Sequence, residues 1–519
     1  MKKENIALII ILAIQLLVYI FLGVQKSYIH MDEAYSIGLT NYDKVEITDN
    51  EDFYGNWHNS AYYEDYLSIS QEEVKNVKPV YENQKNDVHP PFYYLLLRIA
   101  YSFHLNEFSK WPGIILNIIF FICSNILIYK ILTKIIKNKK IALLMCLVSG
   151  LVISSLESVT YIRMYALNSF ILLAIAYLHI LNYKKEELDI KNLILIGTAT
   201  LIASLTHYYN IIYIGIIYLI YAIIYLKNKQ YKNLRKYTLT MVIAAICSLA
   251  IFPYSIKHIF MGYRGQGVLE TFKEPSKMIS NLANYITILN EKVFNGTLWL
   301  IAIFLVGVCI FKLVKNKQIT IKVQNEKLLL IIIPAIIYFL FVAVSSPYTE
   351  IRYIIPVCNF IFIFVIYELY EVINKILKEE RNSDILISII LILILVMPLK
   401  TNAKIDNLYL QRKEIVSQVT EKYEKIPTIY LFNSSQNRFL DDIYMFTKIN
   451  ESYILEVKDA STEKVQEILQ NKDISNGIVV WVNEGFEKKQ YLEMIKNSNN
   501  FKNCEHIQRM NACDIYYIY

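Results

Sequence analysis

Two adjacent acids, Asp32 and Glu33, stand in the stretch IHMDEAYSIGL a few residues after a long apolar run. A carboxylate accepts hydrogen bonds, so Asp32 at a membrane boundary has the character of a general base toward a hydroxyl, with the low-dielectric edge tuning it. Four more polar groups recur at the ends of apolar runs: DVHPP with Asp87 and His89, YIRMY with Arg163 and Tyr165, THYYN with His207, and SSPYTEIRY with Arg352 and Tyr353. Arg163 and Arg352 carry permanently charged planar forks suited to phosphate, and each sits between tyrosines that can orient it. His207 can donate to a phosphate or ligate a metal. Asp87 with His89 makes half a metal site, but no HExxH or CxxC spacing accompanies them. No cofactor is therefore expected, with a divalent cation as the open alternative. For any one of these residues a snorkelling or interfacial charge is the ordinary explanation. Their convergence from five loops on one membrane face is what favours function.

The elements that would bring them there are membrane spans. The 519 residues are 55% hydrophobic and only 19% charged, with a mean hydropathy of +0.33, too apolar for soluble domains of this total length. Eleven apolar segments are read: the run after the first four residues, taken as an uncleaved first span, and then approximately 111–131, 140–157, 164–181, 192–207, 208–226, 237–257, 297–315, 327–346, 351–373 and 384–399. The formal charge of +7 lies in short basic clusters at 130–140, 227–236 and 311–327. Membrane topology explains that charge, and no nucleic-acid partner is expected. The eleven-span count puts all three clusters, and the N-terminus, on the cytoplasmic side. The apolar stretch 89–104 is short and contains Arg98; a crossing there would turn the 130–140 cluster outward, so it is read as interfacial or re-entrant. Residues 28–91 hold thirteen Asp and Glu against four Lys, which suits an outside loop.

After Pro398 hydropathy falls. TIYLF, GIVVWV and DIYYIY predict strands, with TEKVQEILQN and EKKQYLEMIKNS as helices, so the tail is expected to be a small extracytoplasmic α/β domain. Five cysteines, Cys123, Cys146, Cys247, Cys309 and Cys358, lie in apolar runs. Cys504 and Cys513 could pair if that end is outside, with an intracellular thiol pair as the alternative.

The motifs HMDEAYS, DVHPPFYYLLL, YIRMYAL, THYYN and RYIIP, in this order, resemble the GT-C class of polytopic glycosyltransferases, in particular the bacterial branch related to protein O-mannosyltransferases and lipid A aminoarabinose transferases. The resemblance spans roughly residues 1–360. It implies a GT-C-like α-helical polytopic fold for the region of about eleven spans at 1–399, whose outer loop 28–110 bears interfacial helices; the α/β domain expected at 400–519 follows from the strand and helix pattern and not from the resemblance. It further implies an inverting enzyme of the plasma membrane. Such an enzyme takes a hexosyl or pentosyl group from a polyprenyl-phosphate donor and transfers it to a hydroxyl of a protein, wall polymer or lipid at the extracytoplasmic face. By the resemblance, Asp32 deprotonates the acceptor, with Glu33 positioning it or the acceptor. Arg163 and Arg352 hold the departing phosphate, and Tyr165, His207 and Tyr353 support them. The long insertion DFYGNWHNSAYYEDYLSIS and the missing lysine after HPP depart from the mannosyltransferases, and the tail has no counterpart.

Three competitors remain. A transporter of lipid-linked sugars would interrupt its spans with ionisable groups, and these spans are nearly free of charge. A polysaccharide polymerase or ligase also binds polyprenyl pyrophosphate through arginines but does not need an acid after its first span. A non-catalytic receptor would leave Asp32 and both arginines dispensable.

Overall fold

The computed structural model describes residues 3–316, 325–401 and 404–519. The part of the basic cluster at 317–324 lies outside the described residues. Two compact units divide the chain: Met1–Gly23, Val88–Tyr93 and Ile114–Asp406 form the first, and Val24–Asp87, Tyr94–Gly113 and Asn407–Tyr519 the second.

The first unit is helical. Among the described residues eight helices are long and apolar enough to cross a membrane, and two bent helix pairs bring the number to ten. Each of the eleven expected segments appears as a helix, but three differ from a simple crossing. Ile190–Ser204 has only 15 residues. Lys139–Leu151 and Ile153–Thr160 meet at a 52° bend, where Val152 turns extended. The expected span at 297–315 is one arm of a pair, Pro275–Val293 and Leu298–Val308, bent by 106°. Asn295 and Gly296 take positive φ values of 50° and 89° at that break. Backbone exposed by a break at membrane depth needs partners. Here the Asn290 side chain accepts from the Leu298 N–H at 3.1 Å, and Asn295 donates to the Ile394 carbonyl at 2.8 Å.

Buried polar side chains tie the helices together, as expected where packing has no hydrophobic drive. Gln15 donates to the Cys146 carbonyl at 2.9 Å, and the Tyr19 hydroxyl to the Gly150 carbonyl at 2.7 Å. Gly150 permits that approach, since a Cβ there would lie 2.2 Å from the Gln15 amide nitrogen. On the opposite face of Lys3–Gln25, Leu17 is 68% exposed and Phe21 and Val24 are exposed too. A stripe of this size suits lipid and not water, and the chain is a multi-pass membrane protein.

The second unit gathers three stretches of chain. Its sheet contains β1 (Trp57–His58), β2 (Thr428–Phe432), β3 (Ser452–Glu456), β4 (Ile478–Asn483), β5 (Cys504–Met510) and β6 (Cys513–Ile518) in the order β1-β3-β2-β4-β6-β5. Strands β3, β2 and β4 run parallel, which requires crossover helices such as Thr462–Leu469, while β1, β6 and β5 pair antiparallel. The three predicted strands and both helices are present. β3 and β5 were not anticipated, and β1 comes from the first outer loop: the inserted segment closes the sheet edge. There Trp57 pairs with Tyr453, and the Tyr63 hydroxyl lies 2.6 Å from that of Ser452. The expected tail domain at 400–519 is thus one part of a unit that the outer loop completes.

Two further expectations resolve here. Cys504 and Cys513 lie at opposite ends of the β5–β6 hairpin, opposite Ile518 and Met510, and both are free thiols, so they do not pair. Arg98, on the ten-residue helix Phe92–Tyr101, is 2% exposed. It donates to the carbonyls of Thr40 at 2.7 Å and Glu73 at 2.8 Å. The arginine organises the outer loop and does not interrupt a span.

Candidate active site

In the second unit the acid pair opens the helix Met31–Asn41, and its two members have different surroundings. His30 is the N-cap. Its Nδ1 accepts from the Asp32 N–H at 3.1 Å, and its own N–H donates to Glu33 Oε2 at 2.9 Å, closing a capping box. Glu33 is fully buried and also accepts from Lys26 Nζ at 2.9 Å, both side chains being wholly inaccessible. Lys26 Nζ donates in addition to the Asn407 carbonyl at 2.6 Å. Glu33 is thereby closed to solvent and holds the start of the helix. Asp32 keeps 24% of its side chain accessible, with an oxygen 3.7 Å from His30 Nδ1. Of the two acids it is the one that solvent or substrate can reach. Ser27 fixes the approach to this turn: its N–H donates to the Leu408 carbonyl at 3.0 Å and its hydroxyl to the Tyr409 carbonyl at 2.6 Å. Asp87 is the C-cap of Lys78–Asn86, nearly buried, its N–H donating to the Asn83 carbonyl.

In the first unit Arg352 reaches the turn that bears Arg163. Arg352 Nη1 donates to the Tyr161 hydroxyl at 2.8 Å, and its guanidinium lies 5.5 Å from the centre of the Tyr353 ring. Tyr161 is two residues from Arg163, which is 5% exposed, and its ring stacks on Tyr165 at 6.3 Å with an interplanar angle of 6°. The turn bearing these residues is held by Asn117, which donates to the Tyr161 carbonyl at 2.6 Å. It is anchored below by Glu157, which accepts from Lys292 Nζ at 2.7 Å.

His207 joins the same cluster, with ring centroids 6.2 Å from Tyr165 and 6.1 Å from His89. Burial, then the neighbouring His89 and Arg163, lower its pKa to about 3, so the ring is neutral. Nδ1 accepts from the Tyr209 N–H at 3.2 Å, which leaves Nε2 carrying the proton as a donor. Tyr209 continues the wall toward Tyr353, 6.4 Å away, and Tyr338, 6.2 Å away. The structure thus gathers Arg163, Arg352, Tyr165, His207, Tyr353 and His89 in one unit, and Asp32, Glu33 and Asp87 belong to the other. Sequence reasoning missed Tyr161, Tyr209 and Tyr338 as members; the first two lie inside the quoted motifs, whereas Tyr338 sits in an apolar helix with no local signal. Among the described residues, no three His, Cys, Asp or Glu side chains group as a metal site.

The cluster offers two guanidinium groups, a neutral histidine donor and tyrosine hydroxyls at the end of membrane helices, a set that suits phosphate on a lipid. No protein-family model and no curated protein matches the chain. Among solved structures, ArnT from Cupriavidus metallidurans bound to undecaprenyl phosphate is similar over 98% of this chain and 97% of its own, at 9% identity and a TM-score of 0.53. The chain has a GT-C fold. For this GT-C chain the apo form of the same ArnT gives a TM-score of 0.46 at 10% identity, covering 96% and 97%. The oligosaccharyltransferase AglB from Archaeoglobus fulgidus, in complex with an inhibitory peptide and a dolichol-phosphate, gives 0.44 at 10%, covering 98% and 73%.

Proposed function

We propose that this GT-C chain is a membrane glycosyltransferase that moves a sugar from a polyprenyl-phosphate donor to an acceptor hydroxyl at the extracytoplasmic face. The observation that carries the reading is the hydrogen bond from Arg352 to Tyr161, on the turn that also bears Arg163, with neutral His207 alongside. The ArnT that shares the fold was determined with undecaprenyl phosphate bound, and the arginine cluster supplies the donors such a head group needs.

In the reaction the acceptor hydroxyl gives its proton to the Asp32 carboxylate while its oxygen attacks the anomeric carbon. The bond from that carbon to the phosphate oxygen breaks, and its electron pair leaves with the polyprenyl phosphate. Charge rises on the departing phosphate, where Arg163, Arg352 and the His207 Nε2–H stabilise it more than they stabilise the donor. Attack opposite the leaving group inverts the anomeric centre. Glu33 holds the helix start that presents Asp32, and no residue of the chain is consumed. The acceptor is a protein, a wall polymer or a lipid of the cell envelope.

The test is purified full-length protein supplied with a labelled polyprenyl-phosphate sugar and envelope acceptor. Release of the lipid phosphate coupled to glycosylation is expected, with Asp32→Asn slower by ~100- to 10,000-fold and its donor affinity unchanged. Turnover of Asp32→Asn close to the native rate removes the base assignment.

A further inference from the structure

The break between Pro275–Val293 and Leu298–Val308 frames a cavity of about 380 Å³ that the glycosyl-transfer reading does not use. Its size lies within the range of small-molecule sites, ~300–1,000 Å³. An irregular turn shapes it. Leu289–Val293 winds as a π-helix, and Asn295 and Gly296 follow with φ of 50° and 89°. Such turns give up regular backbone geometry and recur at functional sites. The wall includes Glu291, Lys292, Asn295, Lys404 and Asp406, all from the first unit.

Some of these groups are already committed. Lys292 Nζ donates to Glu157 Oε1 at 2.7 Å and to Asp406 Oδ2 at 2.8 Å, so this triad keeps one negative charge in excess. The charges left for a ligand are one of each sign. Neither the Glu291 carboxylate nor the Lys404 ammonium pairs with another described residue, and both residues are exposed. Asn295 adds a buried acceptor. It is only 4% exposed, and its Nδ2 donates to the Ile394 carbonyl at 2.8 Å, while its Oδ1 has no partner among the described residues. A buried acceptor left without a donor costs stability, and a ligand in the cavity can supply one.

The cavity also opens where lipid reaches. Leu298–Asn316 starts just past Gly296, and its Trp299, Leu300 and Ile303 are exposed. Glu380–Thr401 ends shortly before Lys404, and its Leu393, Val396 and Leu399 are exposed as well. Apolar faces for acyl chains thus begin beside the polar lining, and Trp299 has the character of an interfacial anchor. On the eleven-span reading Glu157, 291–296 and 404–406 all fall at the extracytoplasmic face.

We propose that this cavity binds the head group of a zwitterionic aminoalkyl-phosphate lipid, with its ammonium on Glu291 and Asn295 and its phosphate on Lys404. An ammonium only donates hydrogen bonds, which matches the two unused acceptors. The phosphate only accepts, which matches the lysine. Occupancy by such a lipid does not depend on glycosyl transfer and is read without turnover.

Calorimetric titration of full-length protein in maltoside detergent decides the matter, with dihexanoyl-phosphatidylethanolamine as the probe and its choline and glycerol analogues beside it. The ethanolamine lipid is expected to bind ~10-fold or more tighter than either, because the quaternary nitrogen of choline donates no hydrogen bond and glycerol carries no cation. Glu291→Gln and Lys404→Gln change exposed side chains outside the Glu157–Lys292–Asp406 triad and leave the fold in place. Each should weaken the ethanolamine lipid by ~10-fold or more. The glycerol lipid shares only the phosphate, so Lys404→Gln should weaken it and Glu291→Gln should not. Equal native affinity for all three lipids, or unchanged affinity for the ethanolamine lipid in either variant, overturns the proposal. Glycerophosphoethanolamine, which has no acyl chains, should bind more weakly; binding as tight as the lipid's would overturn a lipid as the occupant.

Discussion

Lys26→Met removes one half of an ion pair whose two side chains are both inaccessible to solvent. Glu33 would lose its lysine while the His30 N–H still donates to it, and a buried charge deprived of its counter-charge costs ~3–5 kcal/mol. Glu33→Gln strands Lys26 with the Asn407 carbonyl alone and costs about the same. In Lys26→Met combined with Glu33→Gln both charges are gone and the glutamine oxygen still caps His30. What remains lost is the charged bond to Asn407, ~1.5–3 kcal/mol. The two single costs sum to ~6 kcal/mol or more, so the double variant should be at least ~3 kcal/mol more stable than additivity requires. The assay is urea unfolding of the full-length protein with Trp57, Trp111 and Trp299 replaced by Phe, followed by the emission of Trp481, which is fully buried in the β4 strand of the same unit. Additive costs would refute the reasoning, because they would mean that the two charges do not depend on each other. Donor affinity should survive in the single variants that fold, since Arg163 and Arg352 belong to the other unit.

Arg163→Ala and Arg352→Ala should each weaken undecaprenyl phosphate binding. Tyr161→Phe, which deletes one hydrogen bond to Arg352, should weaken it by only ~3- to 10-fold; titration of the lipid into detergent-solubilised protein checks all three. Asp442 is buried, and burial raises its pKa from 3.8 to about 7. Its contribution to stability is therefore fully present below about pH 4 and lost as pH rises toward 7, by roughly 4 kcal/mol at most. Thermal unfolding at pH 5 and pH 8 should show Asp442→Asn gaining on the native protein at the higher pH, and an equal difference at both would contradict the assignment. On the eleven-span reading with a cytoplasmic N-terminus, a reporter fused after Tyr519 should be active outside the cytoplasm, and cytoplasmic activity would mean an even number of crossings.

The membrane helices were legible because length and apolarity are local properties: twenty apolar residues cross a bilayer whatever their neighbours do. The strands Thr428–Phe432 and Ile478–Asn483 announced themselves for a similar reason, since buried parallel strands are continuous apolar runs. The motifs around Asp32, Arg163, His207 and Arg352 stood out as polar islands at span ends. What those residues do for one another is a matter of contacts between distant parts of the chain. Glu33 looks like the equal of Asp32 until Lys26 and the Asn407 carbonyl, 381 residues beyond Lys26, close over it. Tyr161 becomes part of the arginine cluster only because Arg352, 191 residues away, donates to its hydroxyl. Trp57 and His58 carry too little pattern to predict a strand, and they form one because Tyr453 and Ser452 offer a free sheet edge. The amino-acid sequence by itself determined which segments leave water and which residue types gather at their ends, because transfer free energy adds up residue by residue along the chain. The tertiary structure alone decided which of two adjacent acids stays reachable and which is closed by a lysine, because burial and pairing depend on neighbours that the chain brings in from hundreds of residues away.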